Sequence, residues 1–142
     1  MSRRVAREIA VQLLYQIDFE NVEPKEQIEI FLSNVIEEKI HNDKPLKDFS
    51  DSDIIYVKEV VLGVLENLLD IDKRINILAQ GWNVERIAKV DLAILRLAIY
   101  EITKKEDVPK QVAINEAVEI AKKYSTMDSK SFVNGILGKV DE

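Results

Sequence analysis

Apolar residues recur at three- and four-residue intervals along most of the chain, the spacing of helices that each bury one face. Residues 3–19 align Val5, Ile9, Leu13 and Ile17, with Ala6 and Ala10 beside them, and set Arg3 and Arg7 one turn apart on another face. Residues 24–41 predict a second helix: Pro24 suits a first turn, and Ile28, Phe31, Leu32, Val35 and Ile36 form the stripe. The polar stretch HNDKPLKDFSDSD, residues 41–53, reads as a loop and not a domain linker, and Ser50 is placed to cap the next helix. Residues 51–80 keep the helical period through Ile54, Val57, Val61, Leu65 and Leu68, with a break or bend expected near Asp70 and Asp72. Gly63 lies inside that stretch, where glycine costs about 1 kcal/mol relative to alanine. A close helix approach would justify it, and a kink is the alternative. Gly81 is a natural stop, and Asn83 can cap a short helix.

The C-terminal half is the most regular. Residues 91–103 are apolar nearly all round, which predicts a helix buried on most sides. KKEDVP (104–109) ends it, and residues 112–124 carry a face of Ile114, Ala117, Val118, Ala121 and Tyr124. After a break at 125–128, residues 129–140 close with Phe132, Val133, Ile136, Leu137 and Val140. No stretch alternates with the period of a strand. The expectation is an all-α protein of about seven helices in one domain, residues 1–142, with the central apolar helix wrapped by the others.

Composition fits that picture. Apolar residues make up 46% and charged residues 32%, and four glycines with three prolines are too few for a turn-rich β protein. No apolar run approaches the length of a membrane span, and MSRRVAREIAVQ lacks the apolar core of a secretory signal, so a soluble cytoplasmic protein is the default. The net charge of −6 hides an uneven distribution. Residues 1–7 hold Arg3, Arg4 and Arg7 and no acid, whereas residues 18–72 hold fifteen acids against five lysines. Nucleic acid could be held only on a local basic patch.

Most catalytic chemistry is excluded by residue type. There is no cysteine, and the single histidine, His41, fits a helix end better than a metal site that needs four nitrogen or sulfur ligands. The isolated glycines form no phosphate loop, and the paired carboxylates read as solvated helix faces. No metal, cofactor or enzymatic role is expected.

Two clusters point elsewhere. Arg3, Arg4 and Arg7 lie at a helix mouth, where guanidinium forks and free backbone N–H groups both suit phosphate. By residue type alone a solubilising terminus is the slightly better reading of them. Lys122, Lys123, Asp128, Lys130 and Phe132 flank the last interhelix turn: lysines meet phosphates, a carboxylate can accept from a base amino group, and a ring can stack an unpaired base. By residue type alone Phe132 is more often core and Asp128 more often a cap. Within the apolar helix, Arg96 must be paired if it is buried, and Asp91, near the helix start, is expected to be exposed.

Three stretches carry a resemblance: RRVAREIAVQLLYQIDF, GWNVERIAKVDLAILRLAIYE, and VPKQVAINEAVEIAKKY followed by SKSFVNGIL. In their order and separation the chain resembles the NusB transcription antitermination family over nearly its full length. That resemblance implies two small helical sub-bundles packed into one domain. It also implies a non-enzymatic protein that pairs with the ribosomal protein NusE, binds single-stranded boxA RNA, and joins RNA polymerase in an antitermination complex that supports ribosomal RNA synthesis. By position it implies RNA contact at Arg3, Arg4 and Arg7 and around Asp128 to Phe132, and NusE contact at Tyr15 and Asp91. Ser125 stands where the family often has glycine and Ser131 where it often has lysine, and the arginine run is thin, so RNA binding should lean on the partner. The alternative is a helical protein-interaction module without RNA binding; a NusB-like domain of an RNA-modifying enzyme would need a catalytic domain beside it. The sequence leaves a homodimer open.

Overall fold

Among the described residues the six periodic stretches fold as seven helices, because residues 51–80 divide into two. The computed structural model describes residues 2–19, 23–42, 49–81, 83–126 and 128–141, with residues 2 and 38–42 described by backbone alone. The side chain of His41 and the loop segment 43–48 with Pro45 lie outside the described residues. Among the described residues there is no strand, and the helices are α1 (Ser2–Phe19), α2 (Pro24–Asn42), α3 (Asp51–Glu66), α4 (Leu68–Leu78), α5 (Lys89–Lys104), α6 (Lys110–Tyr124) and α7 (Ser129–Leu137). The all-α expectation is met, and the chain forms two compact units, Met1–Leu62 and Gly63–Glu142.

In the first unit α1 packs on α2. Ala6, Ile9, Ala10, Leu13 and Leu14 of α1, Ile28, Leu32 and Val35 of α2, and Val57, Val60 and Val61 of α3 are buried, together with Phe49. Pro24 opens α2 as its first residue, where its missing N–H is harmless. Ser50 caps α3 reciprocally. Its Oγ accepts from the Asp53 N–H at 3.3 Å, and the Asp53 carboxylate accepts from the Ser50 N–H at 3.0 Å.

In the second unit α5 is the centre. It contacts α4, α6 and α7, and α6 also packs on α7. Every residue from Asp91 to Ile99 is buried. A helix without a polar face can exist in water only when neighbours cover it on most sides. Its arginine is paired as the chemistry requires. Arg96 Nε donates to Asp72 Oδ1 at 2.9 Å and Nη2 to Oδ2 at 2.8 Å, a two-pronged clasp between α5 and α4.

The break expected near Asp70 and Asp72 falls earlier, at Asn67. The Asn67 side chain donates to the Gly63 carbonyl at 2.8 Å, an acceptor its own backbone N–H also uses at 3.1 Å. Such local competition stops a helix. The two aspartates are helical instead, Asp70 pairing with Arg74 one turn on and Asp72 with Arg96. Gly63 marks a close approach: a Cβ there would overlap the Tyr100 ring. At the end of α4, Gln80 (φ 35°) and Gly81 (φ 87°) take left-handed backbone, as a helix stop requires. Asn83 caps a single turn and not a helix, its Oδ1 accepting from the Glu85 N–H at 3.0 Å.

Gly63→Ala should lower stability by about 1–2 kcal/mol by urea unfolding, although alanine is the better helix former, because overpacking outweighs propensity. Adding Tyr100→Leu should recover part of the loss. Asp72→Ala should cost about 3 kcal/mol by stranding a mostly buried guanidinium without its carboxylate, whereas replacing both partners with apolar residues should cost much less.

Candidate nucleic-acid interface

Arg3 and Arg7 at the start of α1 lie on a row that continues into the buried face at Ala10, Val11 and Leu14, so they turn partly inward. Both Arg3 and Arg7 stack on one ring of α3. The Arg3 guanidinium carbon lies 4.4 Å from the Tyr56 ring centroid and that of Arg7 lies 5.8 Å away. Arg3 Nη1 sits 3.5 Å from Asp53 Oδ1, and Nη2 donates to Ser52 Oγ at 3.4 Å. Arg3 is half-buried and Arg4 exposed, but Arg7 is only 7% exposed. The separate arginine face expected from the spacing is therefore found only in part. Tyr56 carries the arrangement, and nothing in the sequence marks it, since the ring lies far along the chain. Stacking on a ring covers the flat face of a guanidinium and leaves its N–H edge for an anion.

Further along α1, Tyr15 and Phe19 form an edge-to-face pair with centroids 4.9 Å apart. They are 39% and 60% exposed. The only sign of Phe19 in the sequence is its position one helical turn from Tyr15, which the motifs do not emphasise.

In the second unit, the start of α5, Thr126 and the start of α7 border a groove of ≈ 390 Å³ lined by Arg86, Ile87, Asp91, Asp128, Ser129 and Phe132 among others. Asp128 is exposed and Phe132 half-buried. Asp128 occupies the cap position of α7 but makes no side-chain cap hydrogen bond. Arg86, which belongs to neither sequence cluster, adds a cation to the rim. Asp91 differs from expectation. It is buried, 6% exposed, because two hydroxyls meet it: Ser125 Oγ donates to Oδ1 at 2.7 Å and Ser129 Oγ to Oδ2 at 2.8 Å. A carboxylate so bonded can leave water at little cost.

The lysines are exposed. Lys122 pairs with Glu119 at 3.2 Å, Lys123 stands 5.2 Å from the Tyr124 ring centroid, and Lys130 lines a second, polar hollow with Asn115, Glu119, Ser131 and Asn134. Among the described residues no group of acids and histidines is arranged to hold a metal, and no helix is long and apolar enough to cross a membrane. The local chemistry is that of guanidinium and ammonium groups beside half-exposed rings, which suits phosphates and bases.

A double-mutant cycle of Arg3→Met and Tyr56→Leu should give a coupling of about 0.5–1 kcal/mol in urea unfolding, the size of a partly exposed cation–ring contact. Additive losses would show that Tyr56 does not hold Arg3.

Comparison with known proteins bears on the whole chain. Residues 4–142 match the model of the NusB family. The chain is 48% identical over 140 residues to the transcription antitermination protein NusB of Acetivibrio thermocellus, covering 99% of this chain and 88% of that one. T. maritima NusB superposes with a TM-score of 0.82 at 31% identity, over 98% of this chain and 89% of that one. A chain in the crystal structure of the antitermination factors NusB and NusE in complex with dsRNA superposes with a TM-score of 0.74 at 26% identity, over 96% of this chain and 93% of that one.

Proposed function

The chain belongs to the NusB family, and on that footing we propose that it is a transcription antitermination factor. It binds boxA-type RNA together with NusE, as a non-enzymatic adaptor in the cytoplasm that acts as one domain and delivers both to an elongating RNA polymerase. The observation that carries the RNA side is the groove of the second unit, where a half-buried Phe132 and an exposed Asp128 share one rim with Arg86. A ring and a carboxylate so placed can stack one unpaired base and accept from its amino group, while Lys122, Lys123 and Lys130 meet phosphates nearby. In the first unit Arg3 and Arg4 supply the accessible cations, with Arg7 anchored beneath them on Tyr56. The aromatic pair Tyr15 and Phe19 is the surface offered to NusE, since exposed rings side by side favour a protein partner.

The test is a titration with boxA-type RNA, single- and double-stranded, with and without NusE, across a range of salt. Burial of Arg7 makes its reversal a fold-perturbing change, so Arg3→Glu/Arg4→Glu is the cleaner probe. With about three phosphates of single-stranded RNA neutralised, log K should fall against log salt with a slope near −2, and the double reversal should flatten it by about 1.4. Phe132→Ala should weaken the single-stranded complex at every salt concentration, and Tyr15→Ala should weaken NusE binding. A flat salt response with unchanged NusE binding would favour the protein-interaction module instead.

A further inference from the structure

We propose that Asp91 is a positioning residue for RNA binding: from inside the second unit it fixes the turn that presents Asp128 and Phe132. The inference rests on the proposed RNA-binding function and gives Asp91 a role that its burial permits.

One carboxylate joins both ends of the turn. Ser125 is the residue that ends α6, and Ser129 is the first residue of α7. Their hydroxyls meet the two oxygens of Asp91 at 2.7 and 2.8 Å, and stand 2.8 Å from each other. The Thr126 hydroxyl lies 3.0 Å from Ser129 Oγ. Three hydroxyl protons serve these four contacts, and with the carboxylate taking two of them the 2.8 Å approach of the two serines carries none. Thr126 donates to Ser129, Ser129 donates to one carboxylate oxygen, and Ser125 donates to the other. Hydrogen bonds to an ionised oxygen are stronger than neutral ones, and these act between groups that are largely out of water. Ser129 is 4% exposed, so its hydroxyl serves the carboxylate and not solvent.

The consequence reaches the groove. Pinning Ser129 inward sets the rotation of the first turn of α7. Phe132 lies three residues on, on the same side of the helix. Asp128 directly precedes the pinned residue. Asp91, Asp128, Ser129 and Phe132 line the same groove. A turn fixed before RNA arrives spares the complex the entropy of ordering it. Ser125 is what closes the second arm of this clamp, and glycine there could not.

RNA affinity of the full-length protein should be measured by fluorescence anisotropy, with single-stranded boxA-type RNA and NusE present, for wild type, Asp91→Ala, Asp91→Asn, Ser125→Ala/Ser129→Ala and Phe132→Ala. Circular dichroism and urea midpoints would fix a temperature at which each variant is folded. Amide hydrogen exchange would be read at residues 129–132. Asp91→Ala and the double serine variant should bind RNA about tenfold more weakly while folded, with faster exchange at those amides, because the turn must then be ordered during binding. Asp91→Asn keeps an acceptor and a donor of the same shape and should stay within about threefold of wild type. If the folded Asp91→Ala or double serine variant binds as wild type does while Phe132→Ala does not, Asp91 is merely structural and the inference fails, with the RNA-binding function intact. Loss of NusE binding in Asp91→Asn would make Asp91 a partner contact and overturn the inference too. If wild type binds no RNA, both fall.

Discussion

A helix that is apolar on every side sets the terms for the second unit. From Asp91 to Ile99 every residue of α5 is buried, none more than 9% exposed, so α4, α6 and α7 must surround it. The polar groups that α5 does carry then decide where those neighbours sit. Arg96 needs a carboxylate and finds Asp72 on α4. Asp91 needs donors and finds them at the turn between α6 and α7. A buried charge left without partners costs several kcal/mol, whereas slightly poorer apolar packing costs less, so these polar clasps select one register of each helix against α5.

That constraint extends to the groove proposed to hold RNA. The turn held by Asp91 forms one wall of the groove where Phe132 and Asp128 stand. The groove is therefore built from inside outward, by a hydroxyl ladder under it and by the apolar residues Val133, Ile136 and Leu137 that seat α7. In the first unit a ring plays the organising part. Tyr56 carries two guanidinium groups, and the Asp53 that caps α3 with Ser50 also faces Arg3. One carboxylate thus links a helix start to a cationic patch, and the patch has fewer freely presented charges than three arginines would imply.

The family's antitermination role suits such a molecule. A chain with a net charge of −6 cannot attract RNA by its overall field, so binding depends on the short-range placement of a few cations and rings. In the proposed function a partner protein adds contacts where this chain's arginine run is thin. The same reasoning explains why Ser125 matters in this chain: a hydroxyl at the end of α6 adds a fixed strut to a turn that would otherwise rely on Ser129 alone.

The sequence by itself determined the helices, because a 3.6-residue period is a local property that any helix with one buried face must display. It also determined that α5 is enclosed, that Arg96 is paired, that Ser50 caps α3, and that Gly63 marks a close approach or a kink. Tertiary structure decided between those last two in favour of Tyr100, chose Asp72 as the partner of Arg96, and moved the helix break to Asn67, where a side-chain amide competes for the Gly63 carbonyl. It alone decided that Asp91 and Arg7 are buried. Exposure depends on what a residue distant in sequence places against it, and neither the two serines that meet Asp91 nor the ring beneath Arg7 leaves any mark on the periodicity around them.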